Sequence, residues 1–134
     1  TIVSATKTTT SNKKELDGVN LLPYIKKENS DEPHETLFWR SGNHQSVLHK
    51  KWKYIVSKKE NKSWLFDTSI DPLEKNNLIE SHPKEAQKIE ELLVQFNSEQ
   101  KEPLFPSAFE APIMIDKYDG QTYEEGDDYI YWSN

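Results

Sequence analysis

Residues 52–67 read WKYIVSKKENKSWLFD, and this stretch decides the fold. Its first six residues place apolar side chains at every second position: Trp52, Tyr54 and Val56. Alternation with a period of two indicates a strand that is buried on one face. The polar run 58–62 is typical of a hairpin loop, and residues 63–67 indicate the next strand, with Trp64 and Phe66 facing one way. The stretch therefore predicts an antiparallel hairpin.

Upstream of this hairpin, the sequence continues in the same style. Residues 35–40 alternate and predict a strand, and residues 41–44 predict a turn. Residues 45–57 form an extended stretch whose second half is the alternating segment described above. Strands joined by short turns make an antiparallel meander. The sequence therefore predicts a small antiparallel sheet of about four strands.

One long helix is predicted after the sheet. Ser81 is a plausible N-cap, and Pro83 fits the first turn. Apolar residues then recur at helical spacing: Ala86, Ile89, Leu92, Leu93 and Phe96. We expect the helix to end near Gln100 and its apolar stripe to pack on the aromatic face of the sheet. The predicted fold class is α+β, a small antiparallel β-sheet packed against one long C-terminal α-helix.

The rest of the chain is divided by composition. Residues 1–15 are polar and indicate an N-terminal remnant or linker, whereas residues 16–100 contain the predicted domain. Within that domain, residues 21–25 predict one short helical turn. Residues 101–134 predict an extended tail, acidic but with enough aromatic side chains to wrap a surface. The chain begins without Met, from which we expect the beginning of the natural protein to be missing.

Charge and composition exclude several functions. The formal net charge is −6, and acidic and basic residues are mixed along the chain, so we expect no nucleic-acid partner. No apolar run approaches the roughly 18 residues of a membrane span. There is no Cys, which excludes disulfides, thiolate metal sites and a cysteine nucleophile.

Three stretches carry a resemblance to a known family. Residues 17–23 read DGVNLLP, residues 39–55 run from Trp-Arg to Trp-Lys-Tyr-Ile, and residues 65–78 read LFDTSIDPLEKNNL. In order and spacing they resemble the C-terminal subdomain of the sulfatase family, the formylglycine-dependent arylsulfatases. The third stretch is the most specific. Residues 49–51 depart from the family, which often has Arg-x-Gly-Asp before the tryptophan.

The resemblance implies a subdomain docked on a large catalytic domain that this chain lacks. The parent would be a sulfuric ester hydrolase, periplasmic or secreted, acting on a sulfated carbohydrate or an aryl sulfate. Its calcium and its formylglycine, made within a Cys/Ser-x-Pro-x-Arg motif, would lie in the missing domain. The only arginine here is Arg40, and Thr36 and Phe38 occupy the motif's other two positions. We therefore expect no catalytic or metal-ligating residues in this chain, and no activity from it alone.

Four residues at the first predicted turn are candidates for substrate contact: Arg40, Asn43, His44 and Gln45. Binding residues concentrate in loops, and the resemblance implies that loops of this subdomain can border the substrate cleft. The alternative is an exposed turn in which Gly42 and Asn43 supply unusual backbone angles.

Other residues leave two interpretations open. Trp39, Trp52 and Trp64 suit sugar stacking, which would make the chain a stand-alone carbohydrate-binding β module; alternatively, those sharing a strand face form core beneath the helix. Asp71 and Glu74 resemble an acid/base pair of glycosidases, although Asp71-Pro72 is also a turn former. For Asp127-Asp128, we expect a solvated acidic tail.

Overall fold

The computed structural model describes residues 1–9, 16, 18–102, 104–105, 109–115, 117, 120–122 and 124–133. The chain divides into two units, Thr1–Glu35 and Thr36–Asn134. None of the helices in this described part is long and apolar enough to cross a membrane.

The first unit contains two short helices, α1 (Ile2–Thr6) and α2 (Leu22–Ile25). The helical turn predicted over residues 21–25 is α2, whereas α1 lies in the segment for which only a linker was expected. The Thr1 hydroxyl donates to the Val19 carbonyl at 3.2 Å and accepts from the Leu21 amide at 2.9 Å. These hydrogen bonds hold the start of α1 beside the start of α2.

The second unit is built on a four-stranded antiparallel sheet in the order β1-β2-β3-β4. Its strands are β1 (Thr36–Ser41), β2 (His44–His49), β3 (Trp52–Ser57) and β4 (Lys62–Asp67). The predicted meander is confirmed, but the single extended stretch over 45–57 is wrong. A tight turn at Lys50-Lys51 divides it, and Lys50 has a φ of 54°. Positive φ is usually assigned to Gly or Asn, so the sequence carried no turn signal there.

The long helix α3 spans Pro83–Glu99 and confirms the predicted helix. Pro83 is in the first turn, as expected, but the N-cap is His82 rather than Ser81. The Ser81 hydroxyl instead donates to the Leu78 carbonyl at 3.1 Å, which closes the turn before the helix. The helix therefore begins one residue later than its capping signal indicated.

The core lies between α3 and one face of the sheet, which we call the helix face. Ala86, Ile89 and Leu93 of α3 pack there on one buried side chain from each of β2, β3 and β4. These are Val47, Tyr54 and Leu65. Phe38 stacks on Phe96 with ring centroids 4.3 Å apart. Burial raises the pKa of Tyr54, and the nearby Glu90 carboxylate raises it further. Burying each large aliphatic side chain contributes roughly 1.5–3 kcal/mol, so this layer dominates stability.

The register decides which aromatic side chains reach this core. Trp52 pairs with Asp67 and Tyr54 pairs with Leu65, so Leu65, rather than Trp64 or Phe66, lies on the helix face. Of the three sheet tryptophans, only Trp52 packs against the core cluster. The expectation of an aromatic layer beneath the helix thus holds for Phe38, Trp52 and Tyr54 only.

The C-terminal stretch adds a second, two-stranded antiparallel sheet. It consists of β5 (Glu110–Met114) and β6 (Tyr129–Ser133), and the Ile115 amide extends the pairing by donating to the Asp128 carbonyl at 3.1 Å. The sequence-based prediction for residues 101–134 included no hairpin.

Candidate functional site

The face of the sheet opposite α3, which we call the open face, carries a group of apolar side chains among polar ones. Because successive side chains of a strand point to opposite faces, the register places these residues there together: Leu37, Trp39, Leu48, Ile55, Trp64 and Phe66. Over β1 the face is solvent-accessible, with Trp39 48% exposed and Leu37 37% exposed. Phe66, on β4, is buried.

A cleft of about 890 Å³ lies over the β3–β4 half of the open face. Its lining includes Ile55, Trp64 and Phe66 from the sheet, residues of the 72–77 loop, and Ile115 from the segment that follows β5. Ligand pockets are typically about 300–1,000 Å³, mostly apolar, with a few polar groups. The cleft lies within this range of volume and combines apolar side chains with a few polar ones.

Ion pairs tie the edges of this cleft together. Lys53 on β3 pairs with Glu74 at 2.5 Å, and Lys62 on β4 pairs with Asp128. Lys117 lies 2.8 Å from Asp127, and the hydrogen bond from Lys117 lowers the pKa of that carboxyl. Asp127 and Asp128 were expected to be a solvated acidic tail. Each instead pairs with a lysine, because the chain folds back onto β4 and brings the opposite charges together.

The 71–78 loop is held against β4 by hydrogen bonds to backbone groups. The Asn77 side-chain oxygen accepts from the Leu65 and Ile79 amides at 3.0 and 3.1 Å, and its amide donates to the Ser63 carbonyl at 3.3 Å. Asn77 thus occupies part of the free edge of β4, which would otherwise present unpaired backbone groups. The Leu78 amide adds a bond of 2.7 Å to the Leu65 carbonyl.

Neither acid proposed as half of a glycosidase-like pair is arranged for that chemistry. The Asp71 carboxylate accepts from the Asn76 amide at 2.8 Å, and this backbone hydrogen bond lowers the pKa of Asp71. Glu74 has a φ of 55° and pairs with Lys53. These contacts are those of turn residues.

Two of the four predicted substrate contacts lie on the helix face. Arg40 and Gln45 are paired across β1 and β2. Gln45 is 3% exposed, and its side-chain oxygen accepts from the Asn97 amide at 2.8 Å, which fixes the end of α3 to the sheet. The Arg40 guanidinium lies 4.0 Å from Glu102, a largely exposed carboxylate. An exposed pair of this kind contributes about 0–1 kcal/mol.

The other two candidates are arranged differently. His44 is 5% exposed and lies on the other side of the sheet from Gln45, its neighbour in β2. Its Nε2 atom is 3.1 Å from the Ser57 hydroxyl, which donates to the Glu60 carboxylate. A hydroxyl has one proton, so Ser57 accepts from His44. Asn43 lies in the intervening turn, and its carbonyl accepts from the Lys58 amide at 3.0 Å.

Ser57, His44 and Glu60 are the residue types of a hydrolytic triad, but their hydrogen bonds connect them in a different order. A triad needs a histidine that accepts the serine proton and an acid that binds the histidine. Here the acid binds the serine, and Ser57 is completely buried. The cluster therefore joins β2, β3 and the following turn. The structure does not bring the four predicted substrate contacts into one site, and their contact with substrate stays a prediction.

The groups implied by the sulfatase resemblance do not fit the residues of this chain. Arg40 is in β1, and neither Thr36 nor Phe38 matches the formylglycine motif. Among the residues that the structure describes, no three acidic or histidine side chains come close enough to hold a metal ion. No chemical step is therefore assigned to this chain.

Comparison with known proteins supports the fold. No protein-family model matches the chain, and no curated protein matches it. One similar solved structure is a sulfatase from Bacteroides thetaiotaomicron, determined in work on the metabolism of multiple glycosaminoglycans by that bacterium. It is 21% identical, with a TM-score of 0.57, and the match covers 72% of this chain. The chain spans only 23% of the length of that sulfatase.

Sequence reasoning named Trp64, Glu74 and Asp128 separately but did not predict that they line one cleft. Ile115 and Lys117 are far from Trp64 in the chain and follow no pattern that would connect them to it. The one available signal was the aromatic and aliphatic content of the C-terminal stretch, which indicated contact with a surface without indicating which one.

Proposed function

We propose that this chain is the C-terminal part of a sulfatase and that it completes the fold of the catalytic domain. The observation that carries the proposal is the match of 72% of this chain to a quarter-length segment of a sulfatase. The resemblance of residues 65–78 to the family motif also supports it. Asn77 and Leu78 of that motif hydrogen-bond the backbone of Leu65 at the free edge of β4. The formylglycine and the calcium would then belong to the catalytic domain.

The open face is the surface through which the chain would dock on that domain. Its β1 side exposes Leu37 and Trp39, which are neighbours on that face. Contiguous apolar patches on soluble proteins commonly mark interaction sites. Docking there would bury these side chains and leave α3 facing solvent.

Within the assembled enzyme, the β1–β2 turn would border the substrate cleft. Arg40 and Asn43 would contact a sulfated carbohydrate or an aryl sulfate, and the buried His44 and Gln45 would hold the turn in position. Replacing His44 with Ala in the complete enzyme tests this role. A changed KM for the sulfate ester is expected, and unchanged KM and kcat would exclude the turn from the cleft.

The main test is sulfate release by this chain and by the longer product of the gene that encodes it. Both are assayed with an aryl sulfate and with sulfated polysaccharides, and activity is expected only in the longer product. Activity in this 134-residue chain alone would refute the proposal. Absence of activity from both on all substrates would also contradict it.

Matched variants of the longer product test the docking surface. Leu37→Ser with Trp39→Ser should lower the yield of active soluble enzyme. Val94→Ser is the control, since Val94 is exposed on α3 to a greater degree than Trp39 but lies away from the open face. Equal losses from both replacements would remove the open face from consideration.

A second function is favoured by one observation. Trp39 is half-exposed on the same face as Trp64, as expected for a carbohydrate-binding module that stacks sugars on aromatic rings. Binding of a neutral polysaccharide by this chain, lost on Trp39→Ala, would favour that function over docking.

A further inference from the structure

A second pocket, which we call the lysine pocket, lies on the helix side of the sheet and has a volume of about 330 Å³. Its wall on one side is the β2–β3 turn, with His49, Lys50 and Trp52. The opposite wall is the first half of α3, which contributes four residues: Lys84, Glu85, Lys88 and Ile89. Neither the proposed docking surface nor the substrate cleft includes it.

The lining of this pocket is positively charged, although the chain as a whole is acidic. Three lysines and one glutamate give the lining a formal charge of +2 with His49 neutral, against −6 for the chain. Lys51 lies beside the pocket and pairs with Asp67 at 2.7 Å, so these two opposite charges add no net charge next to the lining. In the described part of the protein, Lys84 and Lys88 make no ion pair.

The helix places two of these charges unfavourably with respect to each other. Lys84 and Lys88 are four residues apart, so their side chains emerge about 6 Å apart on one face of α3. Like charges at this spacing repel, and the partial positive charge at the start of a helix adds to the repulsion near Lys84. An anion bound between the two ammonium groups would relieve it.

The apolar part of the lining that a ligand can reach is the partly exposed Trp52, because Ile89 is only 1% exposed. The Trp52 ring already contacts the Lys51 ammonium, 4.9 Å from the ring centroid, and the tilted His82 ring at 5.2 Å. A ligand with an anionic group and an apolar edge would satisfy the lysines and rest its apolar edge on the exposed part of Trp52. A sugar ring that carries a sulfate or carboxylate has this combination, since its C–H groups provide the apolar edge.

We propose that the lysine pocket binds the sulfate or carboxylate groups of an acidic polysaccharide. A pocket of this volume accommodates about one substituted sugar unit, near the lower end of the usual range for ligand sites. The inference concerns this chain itself and does not rest on the sulfatase proposal.

Titration calorimetry of the 134-residue chain with heparin tests the inference. Measurements at about 50 mM and about 150 mM salt should show weaker binding at the higher salt, because screening is stronger there. The double variant Lys84→Ala, Lys88→Ala should bind heparin at least about tenfold more weakly, since it loses two charge-assisted contacts. Both side chains are exposed, and circular dichroism checks that the variant is folded.

The control is the double variant Lys58→Ala, Lys101→Ala, which changes the net charge equally. Both control lysines are exposed and lie near the other end of the sheet and helix. The control should change heparin affinity less than about twofold, as expected for distant surface charges. Equal losses from the two double variants would overturn the proposal, because binding would then follow net charge alone.

Two further titrations identify the ligand. De-sulfated heparin and inorganic sulfate should both bind more weakly than heparin, the first because it has fewer anionic groups and the second because it lacks the sugar ring. Absence of heparin binding at the lower salt would overturn the proposal. Tighter binding of single-stranded DNA than of heparin, with the same dependence on Lys84 and Lys88, would also overturn it.

Discussion

The two faces of the four-stranded sheet both carry apolar side chains, but only one of them is covered by α3. On the helix face, Val47, Tyr54 and Leu65 are covered by α3 and are buried. On the open face, Trp64 and Phe66 are partly covered by the 72–77 loop and the segment after β5, whereas Leu37 and Trp39 remain exposed.

The helix face therefore stabilises the isolated chain, whereas the exposed β1 part of the open face is available for contact with a partner. A buried layer contributes to folding whether or not a partner is present, since its apolar area is removed from water within one chain. An exposed apolar layer contributes only when something else covers it. Replacements on the helix face should therefore affect the isolated chain, and replacements over β1 on the open face should affect assembly.

The largest expected effect comes from removing core volume on the helix face. Leu93→Ala should lower the free energy of unfolding by about 2–5 kcal/mol, because it leaves a cavity between α3 and the sheet. Val94→Ala, at the next position of the same helix, should change it by less than about 0.5 kcal/mol, since Val94 is 63% exposed. Urea unfolding measures both. A cost for Val94 equal to that for Leu93 would show that α3 does not pack as described.

A smaller loss is expected at the edge of the sheet. Asn77→Ala removes the acceptor for the Leu65 amide and should cost about 1–3 kcal/mol, the usual penalty for a polar group left unpaired. Asn76→Ala is the control, because the Asp71 carboxylate also accepts from the Asn76 backbone amide, which alanine retains. Hydrogen exchange should become faster at Leu65 in the first variant only. Unchanged exchange there would show that the loop is held by other contacts.

Acid should weaken the helix face through Asp67. Hydrogen bonds from Lys51 and Ser69 lower the pKa of Asp67 from its ordinary value of 3.8. A carboxyl whose pKa is lower when folded stabilises the protein above the unfolded-state pKa, and this contribution is lost as the pH falls through the folded-state pKa. Unfolding free energy measured between pH 7 and pH 2 should therefore fall less steeply in Asp67→Asn. Identical profiles would mean that Asp67 does not pair with Lys51 in solution.

Sequence patterns predicted the helix face well because its residues follow regular periods. Trp52, Tyr54 and Val56 alternate, and Ala86, Ile89 and Leu93 recur at helical spacing. Strand β4 was harder, because Trp64, Leu65 and Phe66 are all apolar and give no alternation. Only the pairing register fixes which of them faces the helix, and a shift of one residue would invert the assignment.

The candidate sites were less predictable because they combine residues that are distant in sequence. The turn at Lys50-Lys51 has no glycine or asparagine, yet it places Lys50 opposite Lys84 and Lys88 in the lysine pocket. Charges that are mixed along the chain can thus be concentrated in space. Similarly, the predicted contacts His44 and Gln45 are adjacent in sequence, and strand geometry sends their side chains to opposite faces.

The sharpest comparison of the two faces comes from two tryptophans, of which Trp39 on the open face should give the smaller effect. Trp52 packs against the core on the helix face, whereas Trp39 is 48% exposed on the open face. Trp52→Ala should therefore destabilise the chain by about 3 kcal/mol or more, and Trp39→Ala by less than about 1 kcal/mol.

Thermal unfolding of the two variants measures this difference without any partner. Nearly equal losses would mean that the open face is covered within this chain, and the docking proposal would lose its surface. A small loss of stability in Trp39→Ala would show that the apolar area of Trp39 is not buried in the isolated chain. The free energy that its burial would release, about 25 cal/mol for each Å² removed from water, then remains available for association.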